Sequence, residues 1–76
     1  MITTKYRDLT IEDHTPTRCK RKQLKIYAPR RLFFGFVTWN RHRWEYFCST
    51  NQTEWNSEAF IQVGEVLAKL NQEAKP

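Results

Sequence analysis

The sequence predicts a small α+β domain: a three-stranded antiparallel sheet, one C-terminal amphipathic helix packed on one face, and a basic, irregular N-terminal arm. Three observations carry that reading. Residues 23–49 hold three segments of strand character separated by polar breaks. Residues 57–71 place apolar side chains at helical spacing. Residues 1–22 show neither period and end in Arg18-Cys19-Lys20-Arg21-Lys22. A chain of 76 residues has room for one domain. The organisation expected is an arm over 1–22, a sheet-plus-helix unit over 23–72 and a frayed tail over 73–76.

Within the arm, Leu9-Thr10-Ile11 is the one stretch with strand character. Gln23-Leu24-Lys25-Ile26-Tyr27-Ala28 then alternates apolar and polar side chains, the mark of a half-buried strand. Pro29-Arg30-Arg31 breaks it. Residues 32–39 are rich in aromatic and β-branched side chains and predict a second strand. Residues 40–43 supply a turn, with Asn40 expected in the left-handed backbone region. Residues 44–49 form the third strand, and 50–56 a polar connection.

Ala59, Phe60, Val63, Val66, Leu67 and Leu70 make one apolar stripe of a helix over 57–71, opposite Glu58, Gln62, Glu65 and Lys69. Asn56 is placed to cap its first turn, and Trp55 to pack on Phe60 as a staple.

A hairpin closed at 40–43 sets Trp39 opposite Trp44, Val37 opposite Tyr46 and Phe36 opposite Phe47. Side chains alternate across a strand. One face then carries Phe33, Gly35, Val37, Trp39, Trp44, Tyr46 and Cys48. The other carries Phe34, Phe36, Thr38, Arg43, Glu45 and Phe47. A single helix covers a single face. The first is the more continuous, and Gly35 and Gly64 would let helix and sheet approach closely. Phe34, Phe36 and Phe47 are left uncovered, with Tyr27 and Lys25 beside them.

Charge points to an anionic partner. Residues 1–43 hold eleven Lys or Arg against Asp8, Glu12 and Asp13, whereas 44–76 are net acidic, for an overall charge of +5. Such a split presents a basic side to nucleic acid or to an acidic protein surface. Catalysis is not expected. A domain this small does not readily enclose the roughly 300 Å³ pocket typical of small-molecule sites. The chain has two glycines, too few for a phosphate-cradling loop, and no nucleophile–base pair stands out. His14, Cys19, His42 and Cys48 lack the paired spacing of a zinc knuckle, so neither metal nor cofactor is expected. The first residues contain no apolar run of signal-peptide length, and the longest apolar run, 32–37, is far too short to span a bilayer. A cytoplasmic protein with no membrane contact is expected.

Leu32-Phe33-Phe34-Gly35-Phe36-Val37-Thr38-Trp39 resembles the signature octamer of RNA-recognition-motif proteins. That octamer runs basic, Gly, aromatic, Gly or Ala, Phe, Val, any residue, aromatic. The last six positions agree, while Leu32 and Phe33 depart from the first two. In that family the alternating aromatics stack on bases, and the resemblance maps them onto Phe34 and Phe36. It covers eight residues, and the 31 residues before it lack the family's preceding helix. Residues 46–55 are similar to the second half of a WW domain, which binds Pro-rich peptides, but the loop is too short and Glu58 stands where the closing Pro belongs. The order of three strands and a helix is similar to that of phage integrase arm-binding domains and of plant domains that lay a sheet on DNA. That similarity is one of fold only.

The function expected is a non-enzymatic nucleic-acid-binding module, for DNA or RNA. Arg18, Lys20, Arg21, Lys22, Arg30, Arg31, Arg41 and Arg43 supply phosphate contacts. Phe34, Phe36 and Phe47 supply stacking surfaces for unpaired bases, and Lys25 and Tyr27 beside them belong to the same binding surface. The alternative is a small regulator or inhibitor that docks the same aromatic face on a protein, or on a second copy of itself as a homodimer.

Overall fold

Five strands, rather than three, make up the sheet in the computed structural model, which describes residues 2–50 and 55–74. They are β1 (Ile2–Tyr6), β2 (Leu9–Asp13), β3 (Leu24–Ala28), β4 (Leu32–Asn40) and β5 (Glu45–Thr50), paired antiparallel in chain order as a simple meander. Helix α1 (Ser57–Ala74) follows and packs on one face. The α+β class and the single C-terminal helix hold. The strand count does not, and residues 51–54 of the polar connection expected over 50–56, with the end of the tail at 75–76, lie outside the described residues.

The irregular arm is thus corrected to a hairpin and a closed loop. Leu9 and Ile11 of β2 are buried beside Leu24 and Ile26 of β3, and both belong to the core. β1 escapes the sequence pattern because it is an edge strand, exposed along nearly all its length, so no side-chain period marks it. The β1–β2 turn escapes because it lacks the usual Asn-Gly or Asp-Gly signal. Arg7 occupies the left-handed region there at φ 54°.

Residues 14–23 are likewise tied down by hydrogen bonds. His14 N donates to the Gln23 carbonyl at 2.8 Å, Gln23 N to Thr15 Oγ1 at 2.9 Å, and Lys22 N to the Tyr46 hydroxyl at 3.0 Å.

The β4–β5 register differs from the expected one by two residues. Asn40 faces Glu45, Trp39 faces Tyr46 and Val37 faces Cys48, so Trp44 joins the turn. An even shift leaves each side chain on its predicted face. Asn40 organises the turn from outside it, its Oδ1 accepting from His42 N at 2.9 Å and Arg43 N at 3.2 Å. Trp44, not Asn40, takes the left-handed backbone, at φ 55°.

A second shift has the opposite effect. Between β3 and β4 the pairing jumps from Ile26↔Gly35 to Tyr27↔Phe33, leaving Phe34 as the extra residue of a bulge. The bulge turns Phe34 into the core and Phe33 outward.

Helix α1 buries Ala59, Gln62, Val63, Val66 and Leu70, so its core face is rotated toward Gln62 relative to the predicted stripe, and Phe60 is left half-exposed. Asn56 caps it as expected, accepting from Ala59 N at 3.0 Å. Trp55 packs on Phe34, at 4.9 Å between ring centroids, and Phe34 in turn meets Phe60 at 5.7 Å. The helix continues past Asn71 to Ala74, further than the sequence pattern indicates.

Neither glycine acts as foreseen. A Cβ on Gly35 would collide with the Ser49 carbonyl oxygen of β5, so this glycine serves the close approach of two strands. Gly64 faces open space, and nothing in the structure explains it. Among the described residues no helix is long and apolar enough to cross a membrane.

Candidate functional site

The helix covers the sheet face carrying Leu9, Ile11, Leu24, Ile26, Val37 and Tyr46, and among the described residues no element covers the opposite, open face. Register decides its members. Lys25 lies across from Phe36, Tyr27 from Phe33, and Phe47 from Thr38. Tyr27 and Phe33 meet edge to face at 5.6 Å between centroids, and Phe33 and Phe36 at 4.9 Å. Together they make a continuous row of rings. Phe36 keeps 46% of its surface exposed and Phe47 38%, so two phenylalanine rings of this face are open to a partner.

Of the expected stacking residues, Phe36 and Phe47 therefore lie on the open face, with Tyr27 beside them as expected. Phe34 does not. It is 1% exposed, sealed by Trp55 and Phe60, and the bulge is the reason. Phe33 takes its place, a residue that simple alternation assigned to the core. A bulge leaves no mark in the periodicity of a single strand, so the exchange could not be read from residues 32–39 alone.

Cations border the rings. Lys25 Nζ stands 5.7 Å from the Phe36 centroid, and the Arg31 guanidinium 5.2 Å from that of Tyr27. Arg31 also donates through Nη2 to Glu12 Oε2 at 3.2 Å, while Glu12 Oε1 lies 2.9 Å from His14 Nε2. Glu12 projects from β2 onto this same face and is nevertheless buried under those partners. The His14 hydrogen bond above all, with that of Arg31, holds its carboxyl below the usual carboxylate range in spite of burial. Arg30 and Arg31 sit in the left-handed region, at φ 67° and 57°, in the single turn Pro29–Arg31. Side chains other than glycine take that conformation at a cost of about 1 kcal/mol or more.

Six further cations gather at one end of the sheet, where β2 leads into β3 and β4 into β5. Arg18, Lys20, Arg21 and Lys22 lie on the loop over 14–23, and Arg41 and Arg43 on the β4–β5 turn. The Arg21 guanidinium stacks 3.8 Å from the Trp39 centroid, and Trp39 meets Trp44 edge-on at 6.2 Å. Arg43 Nε pairs with Glu45 at 3.0 Å. An open hollow of about 290 Å³ between loop and sheet is lined by Cys19, Arg21, Gln23, Thr38 and Trp39. Thr38 belongs to the open face, so the hollow joins that face to the basic end.

The opposite face offers less chemistry. A trough of about 350 Å³ runs between β1 and the second half of α1, with Ile11, Leu24, Val66 and Leu70 as floor and Lys5, Asp13, Lys69 and Glu73 on its rim. Charges of both signs are scattered there without converging. Cys48 lies partly buried on the helix side, and burial pushes its thiol up to about 11, which suits a structural rather than a nucleophilic sulfur. Among the described residues no three His, Cys, Asp or Glu side chains stand together as metal ligands.

Comparison with known proteins adds no relative: no family model, no curated protein and no solved structure matches the chain.

Proposed function

We propose that this protein binds nucleic acid without catalysing a reaction, laying unpaired bases on the open sheet face and engaging phosphates with the cations around it. The observation that carries this reading is the ring row Tyr27–Phe33–Phe36, with Phe47 nearby, on a face that no other element covers among the described residues, edged by Lys25 and Arg31. Every base has a π-face, so such a row accepts single strands with little regard for sequence, at about 1–3 kcal/mol per stacked base. The net charge of +5 supplies the sequence-independent attraction. The loop over 14–23 supports it further, because hydrogen bonds at both its ends tie down the backbone that carries Arg18, Lys20, Arg21 and Lys22, so less backbone freedom is lost on binding.

The test is a salt titration with single-stranded oligonucleotides. If four to six cations neutralise phosphates, log affinity falls against log salt with a slope of about −3 to −4. Absence of binding to any oligonucleotide at low salt would leave the protein-docking role of the same face as the better account.

A further inference from the structure

The rings of the open face and the largest cluster of cations occupy different parts of the surface, and the cations keep an exposed ring of their own, Trp44. The open face is rich in rings and holds few charges. The basic end holds Arg18, Lys20, Arg21, Lys22, Arg41 and Arg43, and among the described residues Arg18, Lys20 and Arg41 have no carboxylate within salt-bridge distance. A groove built for a single strand alone would run its cations alongside its rings. Cations massed beside a ring-bearing face match a denser charge, such as the duplex backbone with about one negative charge per 1.7 Å.

The shape of that end agrees. β3 leaves β4 at Leu24↔Val37, whereas β4 and β5 pair on to Asn40↔Glu45. The two-stranded ribbon therefore runs three residues beyond β3, about 10 Å at the rise of a strand. Arg41, His42, Arg43 and Trp44 form its tip. Trp44 is 71% exposed and held at φ 55°, an uncommon backbone for a bulky side chain. The major groove of B-form DNA, about 12 Å wide, admits such a ribbon, whereas that of A-form RNA is too narrow. The hollow lined by Arg21, Thr38 and Trp39 lies between ribbon and open face.

We infer that the protein recognises the junction between double- and single-stranded DNA, the β4–β5 tip entering the duplex major groove while the open face takes the adjoining unpaired strand. This inference rests on the nucleic-acid reading above and adds the form of the ligand.

The experiment measures affinity of the full chain for a single-stranded DNA oligonucleotide, a blunt duplex, and the same duplex carrying that oligonucleotide as a tail, with a tailed RNA duplex as a fourth probe. Two linked contacts raise the effective concentration of the second, so the tailed DNA should bind at least about tenfold more tightly than tail or duplex alone. Trp44→Ala should reduce that gain and leave binding of the tail alone unchanged, whereas Arg41→Ala should weaken the tailed duplex more than it weakens the tail, and so reduce the gain as well. Tailed DNA binding no tighter than its tail would overturn the junction while the simpler reading survived. A gain untouched by both substitutions, or equal for tailed RNA, would overturn the role of the tip. Failure of the tail alone to bind would remove the underlying reading itself.

Discussion

Gln62 and Asp8 hold each other by two opposed hydrogen bonds: Gln62 Oε1 accepts from the Asp8 backbone N at 3.0 Å, and Gln62 Nε2 donates to the Asp8 carboxylate at 3.2 Å. The glutamine is 1% exposed, so its amide enters the core only because both ends are satisfied. Beside it Arg7 donates to Glu65 at 2.8 Å and reaches Glu58 at 3.4 Å. At the far end of the helix, Asn71 accepts from Tyr46 N at 2.6 Å and donates to the Tyr46 carbonyl at 3.4 Å. Two side-chain amides thus fix the helix on the sheet, one on the β1–β2 turn and one on β5.

Removing Gln62 should be costly for its size. Gln62→Ala leaves the Asp8 N–H without its partner and opens a cavity, and should lower the free energy of unfolding by about 2–4 kcal/mol. Asp8→Ala keeps the backbone donor and should cost less. Urea unfolding of the two variants measures the difference, and equal losses would mean that the carboxylate rather than the backbone contact secures the turn.

Two neighbouring phenylalanines should separate stability from binding. Phe34→Ala empties the site under Trp55 and should cost about 3–5 kcal/mol of stability. Phe36→Ala removes a half-exposed ring and should leave the melting temperature close to that of the parent, while weakening single-strand binding by about 1–3 kcal/mol with little change in salt slope. Parallel thermal melts and binding isotherms make the comparison.

The two glycines should respond oppositely to alanine. Gly35→Ala drives a methyl into the Ser49 carbonyl, which must force β4 and β5 apart, and the variant should melt well below the parent. Gly64→Ala meets nothing and removes a helix-interior glycine, so it should stabilise the domain by about 0.5–1 kcal/mol.

Acid should weaken the fold partly through Glu12. Its carboxyl titrates below its unfolded value, so the unfolded chain binds the proton first as pH falls. The stabilisation is complete above the ordinary carboxylate range, near about pH 4, and is lost as pH falls further through the depressed folded value. Asp13, lowered chiefly by its hydrogen bond from Thr15, acts in the same direction. Denaturant unfolding at a series of acid pH values should show a shallower loss in Glu12→Gln than in the parent.

Legibility in the sequence followed how locally each feature is determined. Helix α1, its Asn56 cap and the strands β3 to β5 were legible because alternation, capping and helical spacing are written within a few residues. β1 was not, because an edge strand exposed on both sides needs no apolar pattern. The inward turn of Phe34 was not, because the bulge depends on pairing between Tyr27 and Phe33. Gln62 was assigned to the polar side of the helix because its partner lies 54 residues away. At the open face, Tyr27, Phe36 and Phe47 could be named in advance, whereas Phe33 and the grip of Arg31 on Glu12 required the three-dimensional arrangement.

Arg7, Arg30, Arg31 and Trp44 each hold a backbone conformation that glycine or asparagine takes at lower cost. A laboratory selection for heat resistance alone should therefore drift at these four positions toward glycine and asparagine, at a gain of about 1 kcal/mol each. At Arg7 the gain would be set against the loss of its bonds to Glu58 and Glu65. At Arg31 and Trp44 the drift would erase the guanidinium over Tyr27 and the ring at the ribbon tip. Thermal hardiness and ligand capture would then part ways within a few rounds, and the positions that resisted drift when binding was also demanded would mark the working surface of the molecule.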